Sequence, residues 1–237
     1  LPCVCDAGTR MAAGGAAMND AAADPVPSTT PVVAGGAPAL PLRYHTPAAW
    51  VATALADPLA LLADHAQLER KAAANALDLV NRWPRADCAE AWVSILAAVT
   101  ADEAMHLKAV TRLLARRGGE LPRAHRNAYA SALHAAVRRG DGPRELLDRL
   151  LVAALIEARS CERFELLAAH GEDGELASFF ASLCASERGH YKVFLRLADM
   201  VAGPAERKRR WHAWLDGEAA IIAAQAPGPR IHSGVRD

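Results

Sequence analysis

The chain has 237 residues, 52% of them hydrophobic and only 5% aromatic, a balance that favours helices and disfavours a β-sandwich. Lys plus Arg equals Asp plus Glu at 27 each, so no global basic field advertises a nucleic-acid binder, although local patches remain open to that role. No apolar run approaches the ~18 residues that a membrane span needs.

Residues 1–42 are dominated by Ala, Gly and Pro, without a basic start followed by an apolar stretch. They read as a disordered extension ahead of one domain over 43–237, with no secretory signal. An amphipathic piece from His45 to Leu55 carries Trp50 as a packing anchor. Asp57-Pro58 supplies an N-cap and a proline at the first helical position, opening a helix over 58–82 that stops at Trp83-Pro84. A second helix over 87–116 ends in Arg116-Arg117 and then Gly118-Gly119. Residues 120–142 form a connector with one helical segment at 124–138. A third helix runs from Pro143 to His170, and Gly171-Glu172-Asp173-Gly174 makes the turn into a fourth over 175–202, closed by Gly203-Pro204. A further helix over 205–225 and a loop from Pro227 complete the chain. The expected class is all-α, a four-helix bundle with a long crossover and an additional C-terminal helix. The five cysteines, Cys3, Cys5, Cys88, Cys161 and Cys184, are odd in number and form no C-x-x-C pair. Reduced thiols in a cytoplasmic compartment follow.

Each of the four long helices bears an apolar seam at helical spacing, and each seam is broken near its middle. Glu69 interrupts the first, from Leu59 to Val80. Glu103 and His106 interrupt the second, Glu157 the third, and Glu187 and His190 the fourth. Spacing i, i+3 puts each Glu-His pair on one helix face. Glu69 lies 16 residues before the turn near Arg85 and Glu103 18 after it; Glu157 lies 14 before Gly171 and Glu187 16 after it. Both antiparallel pairs therefore meet at matching heights. Six such groups left unpaired among apolar side chains would cost several kcal/mol each, whereas two divalent cations cancel the charge of four carboxylates. One Glu from each of two helices plus Glu-x-x-His from each of the others is the ligand pattern of ferritin-like di-iron or di-manganese bundles. Carboxylates and imidazoles without thiolates suit iron or manganese and not structural zinc. Glu162, the rival on the third helix, falls off the seam. His65, one turn before Glu69 and also off the seam, is expected to support a ligand or face water. Asp64, Asp102 and Glu165 are read as solvated charges, with orientation of the imidazoles as the alternative. Cys161 is read as a small core filler.

The sequence resembles the tRNA 2-methylthio-N6-isopentenyladenosine hydroxylases (MiaE) over residues 43–237. The matching runs are Leu61–Ala66 (LLADHA), Glu69–Ala73 (ERKAA), Leu155–Phe164 (LIEARSCERF), Ser186–Tyr191 (SERGHY) and the tail Arg230–Gly234 (RIHSG). The second motif departs from the family, with Asp102-Glu103 where members tend to show paired glutamates. The resemblance implies a non-haem di-iron monooxygenase that hydroxylates the isopentenyl group of the adenosine at tRNA position 37. Two iron ions would be held by Glu69, Glu103, His106, Glu157, Glu187 and His190, with dioxygen as co-substrate and electrons from an unidentified redox partner. A tRNA anticodon loop as partner requires phosphate contacts and a pocket for an unstacked base. Arg207, Lys208, Arg209, Arg210 and Arg230 are the candidates, with the connector arginines behind them. The rival functions are a ferritin-like protein that oxidises iron or removes peroxide without acting on tRNA, and a metal-free helical scaffold.

Overall fold

In a computed structural model of the chain, residues 39–235 are described. The extension expected over 1–42 lies outside them except for its last four residues, of which Leu42 is buried and Leu40 partly so. Cys3 and Cys5 also lie outside, while Cys88, Cys161 and Cys184 are free thiols. The described residues form helices and no strand: α1 (Trp50–Ala54), α2 (Pro58–Leu79), α3 (Ala89–Arg116), α4 (Ala128–Ala135), α5 (Pro143–His170) and α6 (Gly174–Ala223). None is long and apolar enough to cross a membrane.

Local chemistry sets the helix starts. Asp57 caps α2 by accepting the Ala60 N–H at 2.9 Å ahead of Pro58. Asn127 caps α4 through Ala130 N–H at 3.0 Å, and Asp173 caps α6 through Glu175 and Leu176. Each cap satisfies amide hydrogens that the first helical turn leaves unpaired. A short 3₁₀ turn, Ala86–Cys88, precedes α3, so the second helix begins two residues later than the seam suggests. The connector helix is only eight residues long, because Asn127 spends its side chain on the cap and the chain before it lies extended. The two helices expected at 175–202 and 205–225 abut without a loop. Gly203, at φ 76°, and Pro204 break the helical path inside α6, since proline cannot continue a helix but starts one well.

Helices α2 and α3 pair antiparallel, as do α5 and α6, and the pairs pack together as the expected ferritin-like bundle. Buried apolar side chains form two clusters. One holds Leu79, Trp92, Leu150, Phe194 and the C-terminal Trp211 and Trp214. The other holds Trp50, Leu62, Leu113, Phe164 and Phe180. The seam carboxylates and histidines occupy the layer between these clusters. Leu59, expected on the first seam, is 37% exposed; Leu61 and Leu62 begin the buried face instead.

Candidate metal centre

All six seam residues point inward. Glu69, Glu103, Glu157, Glu187 and His190 are buried, and the side chain of His106 is 13% exposed. They form two overlapping groups whose ligating atoms lie within 4.8 Å of one another: Glu69, Glu103, His106 and Glu187; and Glu103, Glu157, Glu187 and His190. Glu103 and Glu187 belong to both, so the two Glu-x-x-His carboxylates stand between two outer pairs. His106 Nδ1 is 3.5 Å from Glu69, 3.7 Å from Glu103 and 3.4 Å from Glu187. His190 Nδ1 approaches Glu103 Oε1 to 2.7 Å, but at an angle that makes no hydrogen bond.

Burial without partners is the test of fit for a metal. Glu103 Oε1, His106 Nδ1, Glu187 Oε1 and His190 Nδ1 are buried polar atoms with no hydrogen-bond partner among the described residues. Such atoms are costly unless something positively charged meets them. Proton affinities point the same way. Burial pushes Glu103 up to about 7 despite the neighbouring His106 and His190 imidazoles. Burial, then the charges of Glu187 and Glu103, push Glu157 well above the carboxylate range. Burial opposes protonation of His106, but Glu103, Glu187 and Glu69 together push it up to about 12. Glu69 is drawn down, its burial outweighed by the hydrogen-bonded His65 and by the nearby His106 imidazole. The cluster therefore takes up positive charge, as protons or as cations, and its oxygen and nitrogen donors fit two hard-to-borderline divalent ions.

The surrounding groups sort the other residues. His65 is buried, bonds the Glu69 carboxylate through Nε2, and packs its ring against Phe164 and Phe180 with centroids 4.8 and 5.6 Å away. It supports a carboxylate, and its place four residues before Glu69 was the one clue to that. Asp102, more than half exposed, reaches His190 Nε2 at 3.3 Å. The imidazole-orienting alternative thus describes Asp102, whereas Glu165 pairs with Arg188. Asp64 is no solvated charge: it is buried, taking the His125 ring at 2.7 Å and the Ile231 amide at 2.9 Å. Glu162 stays outside the cluster, bound to Thr46 and Arg159. Cys161 is buried, and burial foremost pushes its thiol beyond the usual range, as suits a filler.

A small chamber adjoins the cluster on its carboxylate side. Leu68, Ala72, Ile156, Ser160 and Phe164 line it with all four glutamates and neither clustered histidine. The connector crosses α2 at this wall, with Lys71 Nζ 2.9 Å from His125 Nδ1. Of the basic run, Arg207 binds Asp199 at 2.8 Å, Arg210 binds the buried Asp148 at 2.7 Å while lying over Trp214, and Arg209 pairs with Glu206. Lys208 and Arg230 are exposed.

A family model described as tRNA-(MS[2]IO[6]A)-hydroxylase (MiaE) matches residues 39–233. The chain is 37% identical over 195 residues to the tRNA 2-(methylsulfanyl)-N(6)-isopentenyladenosine(37) hydroxylase of Pseudomonas putida, a match spanning 82% of this chain and 92% of that protein. It is 39% identical over 107 residues to the protein of the same name from Salmonella typhimurium, spanning 45% of this chain and 38% of that one. A solved structure, Protein 43 with aldehyde deformylating oxygenase activity from Synechococcus, superposes with a TM-score of 0.74 at 33% identity, over 83% of this chain and 97% of that chain.

Proposed function

The chain belongs to the MiaE family of tRNA hydroxylases, and from that membership we propose that it is a cytoplasmic, dioxygen-dependent monooxygenase. Its substrate would be the isopentenyl group of (2-methylthio)-N6-isopentenyladenosine at position 37 of tRNA. The observation that carries the reading is the juxtaposition of the two overlapping ligand groups with a small chamber whose wall, beyond the carboxylates, includes Leu68, Ala72, Ile156 and Phe164. Glu69 and His106 would hold one iron ion, Glu157 and His190 the other, and Glu103 and Glu187 both. Two iron ions there would supply activation of dioxygen for insertion of an oxygen atom into a C–H bond.

The chain's own residues do the rest. Leu68, Ala72, Ile156 and Phe164 offer a prenyl group an apolar surface and exclude water from the reacting carbon. His65 fixes Glu69, and Asp102 turns His190 so that Nδ1 faces the cluster. Around the α2 wall of the chamber, exposed Arg70, Arg123, Arg126 and Arg230 supply the charge that an RNA backbone requires. Lys208 is the exposed member of the 207–210 run that makes no ion pair among the described residues, and it contributes a more distant contact. Electrons come from a separate redox partner.

The test is to incubate iron-loaded protein with tRNA bearing the prenylated adenosine, a reductant and dioxygen, then to digest the tRNA and weigh its nucleosides. The prenylated nucleoside is expected to gain the mass of one oxygen atom. An unchanged nucleoside, with iron oxidised or peroxide consumed instead, would reject the reading.

A further inference from the structure

The tail Arg230–Gly234 and the hydroxyl of Ser160 belong to neither ligand group, yet they meet beside the chamber. Ser160 is buried on α5 one turn after Ile156 and lines the chamber with the four glutamates. On its other side, Oγ lies 3.3 Å from His232 Nε2.

The proton positions follow from one fixed point. Asn127 Oδ1 accepts the Ala130 N–H at the start of α4, so its amide nitrogen is the atom 3.0 Å from His232 Nδ1. An amide NH₂ only donates, so Nδ1 carries the lone pair and Nε2 the proton. Burial, then the charges of Arg163 and Arg159, hold this imidazole well below its usual range and keep it neutral. Nε2–H therefore donates to Ser160 Oγ, and the serine's own proton must be used elsewhere. The hydroxyls of Thr100 and Ser131 turn back onto the carbonyl four residues earlier. Ser160 makes no such bond among the described residues.

From these contacts we infer that the Ser160 hydroxyl, presented by His232 and Asn127, is a specificity-determining donor that hydrogen-bonds the oxygen of the hydroxylated prenyl side chain. The remaining wall is carboxylate or carbon, apart from His65. That ring donates its Nε2–H to Glu69, and its Nδ1 has no hydrogen-bond partner among the described residues. An unmodified prenyl group fits such a wall without any donor, whereas an alcohol oxygen placed there is costly without one. The inference rests on the tRNA-hydroxylase reading.

The experiment uses the full chain, iron-loaded and kept free of dioxygen. Its probes are two synthetic anticodon stem-loops, identical except that one prenyl group is hydroxylated, with binding followed by fluorescence anisotropy. The unmodified protein is expected to favour the hydroxylated stem-loop by roughly fivefold. Ser160→Ala brings that ratio to about one, and Ser160→Thr restores it. His232→Leu lowers the ratio, while His232→Gln, which keeps an N–H donor, retains most of it. A ratio of about one in the unmodified protein, or an undiminished ratio in Ser160→Ala, overturns the assignment while leaving the tRNA reading in place. Failure of the unmodified protein to bind either stem-loop overturns both.

Discussion

Glu157 and Glu162 stand five positions apart on α5, and their surroundings give them opposite work. Glu157 is buried against other carboxylates, and burial first, then their charge, raises its proton affinity steeply. Glu162 is met by Arg159 and by the amide and hydroxyl of Thr46. Glu157→Ala is therefore expected to bind about half the metal of the unmodified chain, and Glu162→Ala the full amount, by elemental analysis of purified protein. Metal uptake also acquires a pH dependence of known sign. Glu103 is raised to about 7 by burial, so below that pH a proton occupies it and competes with the cation, and above it the carboxylate is free. Affinity measured by chelator competition should fall as pH drops from about 8 to about 6. The six inward residues were legible in the sequence because helical periodicity alone fixes which face a residue occupies. The roles of His65 and Asp102 were legible only as one of two alternatives, and the setting of Ser160 not at all, because contacts across helices leave no trace in the spacing along one helix.

At the level of elements, the C-terminal half of α6 is fastened to the bundle through a buried ion pair. The Arg159 guanidinium binds both oxygens of Glu218 at 2.8 Å, and Tyr129 adds a third hydrogen bond at 3.0 Å. Arg159 and Glu218 are both fully buried. Replacing Glu218 with Ala would leave the guanidinium sealed from water without its main counter-charge, at a cost of about 3–5 kcal/mol. Chemical denaturation measures that loss, and metal content at low denaturant should be unchanged, because the pair lies outside the cluster. The conspicuous run Leu155–Phe164 thus serves two ends: Glu157 faces the carboxylate–histidine cluster, while Arg159, Glu162 and Arg163 bind the lead-in segment, the last helix and the tail. The start of α2 was legible from Asp57-Pro58 and that of α6 from the turn at Gly171–Gly174, whereas the Asn127 cap that starts α4 was not. The fusion inside α6 was not, because Gly203-Pro204 has the same composition whether it ends a helix in a loop or starts the next helix at once. The tail carried no periodic pattern at all, and its docking emerges only in the fold.

For the whole molecule, neutrality conceals an uneven surface. Several basic side chains of the 207–210 run are neutralised within the fold, whereas Arg70, Arg123, Arg126 and Arg230 remain exposed. Binding of tRNA should weaken steeply with added salt. Reversing Arg123 and Arg126 to glutamate should lower both the affinity and the slope of log K against log salt, the slope by about 1 for each phosphate that is no longer neutralised.

The docked tail also has a bearing on the order in which the molecule assembles. Ile231 bonds Asp64 across 167 positions and Ser233 bonds Trp50 across 183, while each long hairpin joins neighbours in the chain. Distant closures are slow because their entropy is spent before any contact forms. The two hairpins are thus expected to form ahead of the strap that backs Ser160. A newly made chain is expected to pass through a stage in which both hairpins are formed and His232 does not yet back Ser160.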